Sequence, residues 1–122
     1  MSKNNVITTL KGPTDRWGTT PEYNFITLYA NQVKARKLLA AANRGNGCHD
    51  LYDAYKYPSS AKRAVWQDCQ KMATDLGAQN LHITGYNSSE FSVAMDVTVG
   101  GHPAVIYRTH YYDRLIYKED LE

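Results

Sequence analysis

The feature that most constrains the fold is a change of hydrophobic period in the second half of the chain. Apolar side chains first recur at steps of three and four residues, at Ala61, Val65, Cys69, Met72 and Leu76. Further along they alternate with small or polar residues, at Phe91, Val93, Met95, Val97 and Val99. The first spacing predicts an amphipathic helix and the second a strand with one buried face. A chain that contains both is expected to pack helices on a sheet.

Shorter signals give the order of the remaining elements. Residues that favour strands, together with turn residues, predict strands at 5–10, 23–29, 81–86, 91–99, 104–111 and 115–117. The spacing of apolar residues and the capping residues predict three helices, one that ends at residue 43, one at 50–57 and one that ends at residue 76. This order predicts a single α+β domain of two layers, an antiparallel β-meander packed on two or three helices. Residues 1–22 are the N-terminal strand and loop, 23–79 the strand and helices, and 80–118 the β-meander.

The turn at Gly100-Gly101 leaves the pairing of its two strands open. A two-residue turn would pair Val97 with Ala104, whereas a three-residue turn would pair it with Val105. A slip of one residue exchanges the two faces of a strand. The sequence therefore does not decide whether Tyr107 or Ile106 faces the core.

Tyrosine supplies ten aromatic residues, against two Phe and two Trp. Tyrosine suits surfaces that are half wet, because its hydroxyl group needs a partner when buried. Two clusters are not explained by core packing, namely Tyr52, Tyr55 and Tyr57, and Tyr111, Tyr112 and Tyr117. We expect these clusters to contribute to a protein-contact surface. Trp17, in contrast, is expected to anchor the loop between the first two strands against the core.

The net charge of +2 is unevenly distributed. Residues 34–71 contain eight basic and three acidic side chains, and residues 72–122 contain three basic and seven acidic ones. The acidic half offers Glu90, Asp96 and Asp113 as contacts for a basic partner. The basic helices offer an alternative surface for nucleic acid or another anion, at Lys34, Arg36, Lys37, Lys62 and Arg63. Two solvated faces without a ligand would also explain this distribution.

Motifs for catalysis or metal binding are weak. The chain contains no phosphate loop, dinucleotide fingerprint, nucleophile elbow or zincin motif. Cys48 and Cys69 are expected to be free thiols, and no second ligand pair follows them at metal-binding spacing, so neither a metal nor another cofactor is predicted. An enzyme would have to bring His82, His110 and Asp96 into one cleft.

Two hydropathy observations bear on location. No apolar run approaches the roughly 18 residues of a membrane span, and the first five residues lack the apolar stretch of a signal peptide. The sequence therefore predicts no membrane association and a cytoplasmic location.

Two segments resemble small uncharacterised proteins encoded by phages and prophages of streptococci and lactic-acid bacteria. They are LYDAYKYPSSAKRAVW at 51–66 and LHITGYNSSEFSV at 81–93. The resemblance covers about residues 23–118 and carries no catalytic motif. It implies a non-enzymatic protein, acting in the infected bacterial host, that binds and inhibits a host or defence protein or nucleoprotein. An anti-CRISPR-like inhibitor of a CRISPR nuclease is its most concrete form, and a small nucleic-acid-binding module is the alternative.

Overall fold

The computed structural model describes residues 6–44, 60–84, 92–109 and 111–120. Within these ranges the elements are β1 (Val6–Lys11), β2 (Glu22–Tyr29), α1 (Val33–Arg44), α2 (Ser60–Leu76), β3 (Asn80–Thr84), β4 (Ser92–Val99), β5 (His102–Arg108), β6 (Asp113–Tyr117) and a final 3-10 turn (Lys118–Asp120). The predicted helix at 50–57 lies outside the described residues. Neither described helix combines the length and the apolar character that crossing a membrane requires.

The six described strands form one sheet in the order β1-β2-β6-β5-β4-β3. The consecutive strands β3, β4, β5 and β6 pair antiparallel, so the predicted meander is confirmed. The sheet as a whole is mixed, because β2 lies beside β6 and runs parallel to it. The α+β class is therefore confirmed, and the antiparallel meander forms one part of a mixed sheet.

The β4–β5 turn has two residues, and this fixes the register that the sequence left open. Val97 pairs with Ala104. Gly100 and Gly101 have φ values of 59° and 85°, the sign that a type I′ turn needs at both central positions. Tyr107 is fully buried, and so is Ile106, which lies on the other face of the strand.

Both faces of the sheet are buried, each against a different helix. One core cluster joins α2 to residues such as Val93 and Ile106. The other joins α1 to residues such as Ala94 and Val105, their neighbours in the same strands. Successive strand residues point to opposite faces, so the two helices contact opposite faces of the sheet. The predicted two-layer arrangement is thus not confirmed.

The composition of the central strands explains this double burial. In β5, the four consecutive residues from Ala104 to Tyr107 are apolar and buried. In β4, Ala94 is only 3% exposed and Ser92 is fully buried, so the expectation of one buried face is wrong for this strand. A continuous apolar run is typical of a strand covered on both sides, whereas alternation indicates one wet face.

Candidate functional site

The turn between β5 and β6 is held by one buried threonine. The Thr109 hydroxyl accepts hydrogen bonds from the backbone N–H groups of Tyr111 and Tyr112, at 3.0 and 3.2 Å. The Thr109 N–H donates to the carbonyl of Tyr112 at 3.0 Å. These bonds tie the backbone of Tyr111 and Tyr112 to Thr109. The side chain of Tyr111 is 74% exposed.

The neighbouring ring, Tyr112, has two cations within cation–π distance. The guanidinium carbon of Arg114 is 4.4 Å from the ring centroid, and the Lys34 Nζ, which comes from α1, is 5.5 Å from it. Both distances are within the range of cation–π attraction. Tyr112 is half-buried and contacts the core cluster on the α1 side. We refer to Tyr111, Tyr112, Lys34 and Arg114 as the tyrosine-turn surface.

The two cations of this surface lack a close ion pair within the described part of the chain, although Arg114 acts on the Asp113 carboxylate at longer range. No carboxylate there forms an ion pair with either Lys34 or Arg114. The Nε of Arg114 is buried and has no hydrogen-bond partner among the described residues, while its Nη1 donates to the Asp113 carbonyl at 3.1 Å. Because the Nε is buried, an anionic ligand would have to bind the outer nitrogens of the guanidinium group.

Tyr117 does not belong to this surface. It lies at the far end of β6, half-buried, with its ring 6.4 Å from Tyr29 and 6.4 Å from His102. Burial raises the pKa of its hydroxyl. The predicted cluster of three tyrosines therefore separates into a turn pair and one tyrosine beside other rings. The other cluster, Tyr52, Tyr55 and Tyr57, lies outside the described residues.

The acidic candidates are engaged within the fold. Asp96 accepts from Lys118 at 2.8 Å and from Asn80 at 3.3 Å. Burial opposes its ionisation, yet these hydrogen bonds prevail and hold the pKa of Asp96 below its ordinary value. The carboxylate of Asp113 is 3.0 Å from the Nε of Arg108, while burial raises its pKa. Glu90 lies outside the described residues.

The basic candidates on α1 are exposed. Lys34, Arg36 and Lys37 all lie on its solvent side, and the Nε of Arg36 also donates to the Ala30 carbonyl at 3.2 Å. The side chains of Lys62 and Arg63 are outside the described residues. Of these three cations, Lys34 is the one that contacts the tyrosine-turn surface.

The residues considered for catalysis are only partly described. His82 is exposed on β3, one strand away from Asp96, and contributes to lowering the pKa of that carboxyl. His110 lies outside the described residues. Among the described residues no three His, Cys, Asp or Glu side chains are grouped as metal ligands. Cys69 is a free, buried thiol, as expected, and burial raises its pKa to about 12.

Sequence reasoning identified Tyr111, Tyr112 and Lys34 but missed how they meet. Arg114 and Thr109 were not among the candidates. The threonine two residues before a tyrosine pair is a recognisable turn signal, because its hydroxyl can accept the following N–H groups. The approach of Lys34 to Tyr112 had no local signal, because it depends on α1 lying over that face of the sheet.

No protein-family model, curated protein or solved structure shows significant similarity to this chain.

Proposed function

We propose that this chain is a non-enzymatic, phage-type binding protein that binds a host or defence protein in the infected bacterium and inhibits it. The observation that supports the proposal most is the tyrosine-turn surface. An exposed Tyr111 is followed in the chain by Tyr112, whose ring contacts the cations Lys34 and Arg114, and this set of residues has the composition of a protein-binding hot spot. The hydrogen bonds from Tyr111 and Tyr112 to Thr109 also lower the entropic cost of ordering a contact on binding.

The charge of this surface suggests the chemistry of the partner. Lys34 and Arg114 form no ion pair in the described part of the chain, so an acidic group of the partner is expected to lie against these two cations at the Tyr112 ring. Such a contact would replace water at the guanidinium with a charge-assisted hydrogen bond. The acidic candidates Asp96 and Asp113 are instead engaged in internal ion pairs, which favours a partner contact through the cations.

An anti-CRISPR-like inhibitor of a CRISPR nuclease–guide complex is the most concrete form of the proposal. The test is inhibition of target-DNA cleavage by a panel of purified nuclease–guide complexes, together with affinity capture from host lysate. We expect dose-dependent inhibition, or a stoichiometric host protein in the capture, and at least a tenfold loss with Tyr111→Ala. Cleavage unaffected across the panel, together with an empty capture, would contradict the proposal.

Trp17 supplies a matched control for this test. Its side chain is 76% exposed, close to the 74% of Tyr111, but it lies in the β1–β2 loop and its ring contacts Arg16. Trp17→Ala removes a comparable exposed aromatic group from a different surface. We expect Trp17→Ala to inhibit as well as the wild-type chain, so a general effect of losing an exposed ring is separated from the loss of the tyrosine-turn surface.

A second candidate is a single-stranded nucleic-acid-binding module. Three exposed cations on α1 support it, one of which, Lys34, contacts the Tyr112 ring, because such modules combine basic grooves with rings for base stacking. Phosphate contacts predict an affinity for a bare oligonucleotide that falls steeply as salt rises, and Lys37→Ala would reduce that slope. Absence of binding in about 20 mM salt, measured by fluorescence anisotropy, would eliminate this candidate.

A further inference from the structure

Strand β1 forms one edge of the sheet and carries two exposed aliphatic side chains, Val6 and Ile7. Among the described strands it pairs with β2 alone. Of the five large hydrophobic side chains that are mostly exposed in the described ranges, three belong to this hairpin, at Val6, Ile7 and Trp17. Edge strands that avoid pairing usually contain proline, a bulge or a central charge. β1 has none of these within its six residues, since its register is continuous and its only charge is at its end, Lys11.

One hydrogen bond determines which backbone groups of β1 point to the open edge. Gly12 donates its N–H to the Pro21 carbonyl, one step beyond the Lys11–Glu22 pair. Hydrogen-bonded and non-hydrogen-bonded pairs alternate along an antiparallel ladder. Because Gly12 is hydrogen-bonded to β2, every second residue before it is too, so the even-numbered residues of β1 direct their backbone groups to β2. The N–H and C=O groups that point outward therefore belong to Ile7, Thr9 and Lys11.

We infer that a second copy of this chain pairs with β1 along this edge, antiparallel and across a two-fold axis at Thr9. In this register Thr9 lies opposite Thr9 of the second copy, and Ile7 lies opposite Lys11 on either side. Each of the three outward-pointing residues then faces a residue of the second copy, and the two residues of each pair donate N–H groups to each other's C=O groups. The inference concerns a surface distinct from the tyrosine-turn surface and does not depend on the proposed function.

The side chains fit this register. A threonine pair at the centre is a favourable cross-strand pair, and the aliphatic stem of Lys11 covers Ile7, which is 62% exposed in the single chain. The two Lys11 side chains are four residues apart along the paired strands, roughly 13 Å. That separation exceeds the screening length of about 8 Å at physiological salt, so their repulsion is small. No like charges are placed opposite one another.

The size of the contact determines the strength of association. One six-residue strand from each copy is a small interface, below the range of stable protein complexes, which bury about 1,200 Å² or more. We therefore expect a dimer that forms and dissociates with concentration. In sedimentation equilibrium between about 10 μM and about 1 mM, the mass should rise from 13.8 kDa toward twice that value.

Two variants at Thr9 isolate the outward hydrogen bond. Thr9→Pro removes an N–H that points to the edge, a position where proline is tolerated, and also removes the hydroxyl that donates to Asn24 at 2.6 Å. Thr9→Val removes the hydroxyl alone and is the matched control. We expect Thr9→Pro to stay monomeric and Thr9→Val to dimerise like the wild-type chain. Ile7→Lys, which places two lysines opposite each other, provides a third variant with an unchanged backbone and should also stay monomeric.

Amide hydrogen exchange tests the register itself. With rising concentration, we expect slower exchange at Ile7, Thr9 and Lys11 and no change at Thr8 and Leu10, whose N–H groups already bond to β2. A mass that stays at one chain up to about 1 mM overturns the inference. A dimer that persists in Thr9→Pro and Ile7→Lys would also overturn the inference. A dimer in which exchange at Ile7, Thr9 and Lys11 is not slowed relative to Thr8 and Leu10 would do the same. If β1 paired only with a strand of another protein, the purified chain would stay monomeric. That result would also overturn the inference.

Discussion

Tyr23 joins the β1–β2 hairpin to α2 through its hydroxyl group. The hydroxyl donates to the carboxylate of Asp75, and Lys71 donates to the same carboxylate at 2.8 Å. Burial, followed by the hydrogen bond to Asp75, raises the pKa of Tyr23. The same hydrogen bonds, from Lys71 first and then Tyr23, lower the pKa of Asp75. One carboxylate therefore links the hairpin to the helix, in addition to the packing of Leu10 and Tyr23 on the α2 side of the core.

Removing this hydroxyl tests the contribution of the contact to stability. Tyr23→Phe keeps the ring in the core and deletes one hydrogen bond to a charged acceptor, so we expect a loss of about 1–2 kcal/mol in the free energy of unfolding. Urea unfolding followed by circular dichroism measures it. In an Asp75→Ala background the same substitution should cost much less, because its acceptor is gone. Equal losses in both backgrounds would contradict the contact.

The lowered pKa of Asp75 predicts a dependence of stability on pH. Its folded-state pKa lies below the unfolded value, so its ionised form contributes stability above the unfolded pKa that is lost as pH falls through the folded pKa. We expect Asp75→Asn to lose less stability than the wild-type chain between about pH 5 and about pH 2. Asp113 has the opposite sign, since burial raises its pKa and its contribution declines as pH rises. An unchanged pH profile in Asp75→Asn would contradict this assignment.

Residue-scale predictions from sequence succeeded where packing decides and failed where a loop closes on itself. Cys69 and Met72 are buried as their spacing predicts. Trp17 was expected to anchor its loop in the core, which is wrong because the loop has internal bonds instead. The carboxylate of Asp15 accepts from the N–H groups of Trp17 and Thr19, both at 2.9 Å. These bonds hold the loop closed while the indole points to solvent.

At the scale of elements, hydrophobic period predicted most helices and strands within a few residues. The predicted helix ending at Leu76 and the strand at 91–99 correspond to α2 and β4. The hydrophobic alternation of a single strand did not predict that helices cover both faces of the sheet. Apolar residues on one face of a strand give no information about what packs on the opposite face. The short apolar run from Ala104 to Tyr107 was the signal that both faces are buried.

The β4–β5 turn offers a direct test of its assigned type. Gly100 has a φ of 59°, in the left-handed region that a β-branched side chain rarely adopts. Asn-Gly is a preferred pair for a type I′ turn, so we expect Gly100→Asn to change stability by less than about 0.5 kcal/mol. Gly100→Val should destabilise the protein by about 1–2 kcal/mol. Thermal unfolding of the two variants measures this difference, and equal stabilities would contradict the turn type.

At the scale of the whole molecule, the protein contains two hydrophobic cores separated by one sheet. Leu38 of α1 is buried on one side and Met72 of α2 on the other. We expect Leu38→Ala and Met72→Ala each to cost about 2–5 kcal/mol, because each leaves a cavity. Val33→Ala, at a side chain that is 71% exposed, should change stability by less than about 0.5 kcal/mol. If either core substitution were as mild as Val33→Ala, burial on both faces would be wrong.

The candidate site also depends on this whole-molecule arrangement. The sequence predicted the tyrosines of the β5–β6 turn and the basic residues of α1 as separate features. They form one surface because α1 covers the same face of the sheet as Tyr112, which brings Lys34 to its ring. A helix on the other face would have left the two features apart. Their convergence was therefore not predictable from local patterns.

The central claim is that a partner protein binds at the tyrosine-turn surface. The most direct measurement is the dissociation constant of the captured partner, or of the inhibited nuclease–guide complex, for the wild-type chain, Tyr111→Ala and Trp17→Ala. We expect Tyr111→Ala to bind at least about tenfold more weakly and Trp17→Ala to bind like the wild-type chain. Unchanged binding by Tyr111→Ala, or weakening by Trp17→Ala alone, would contradict the claim.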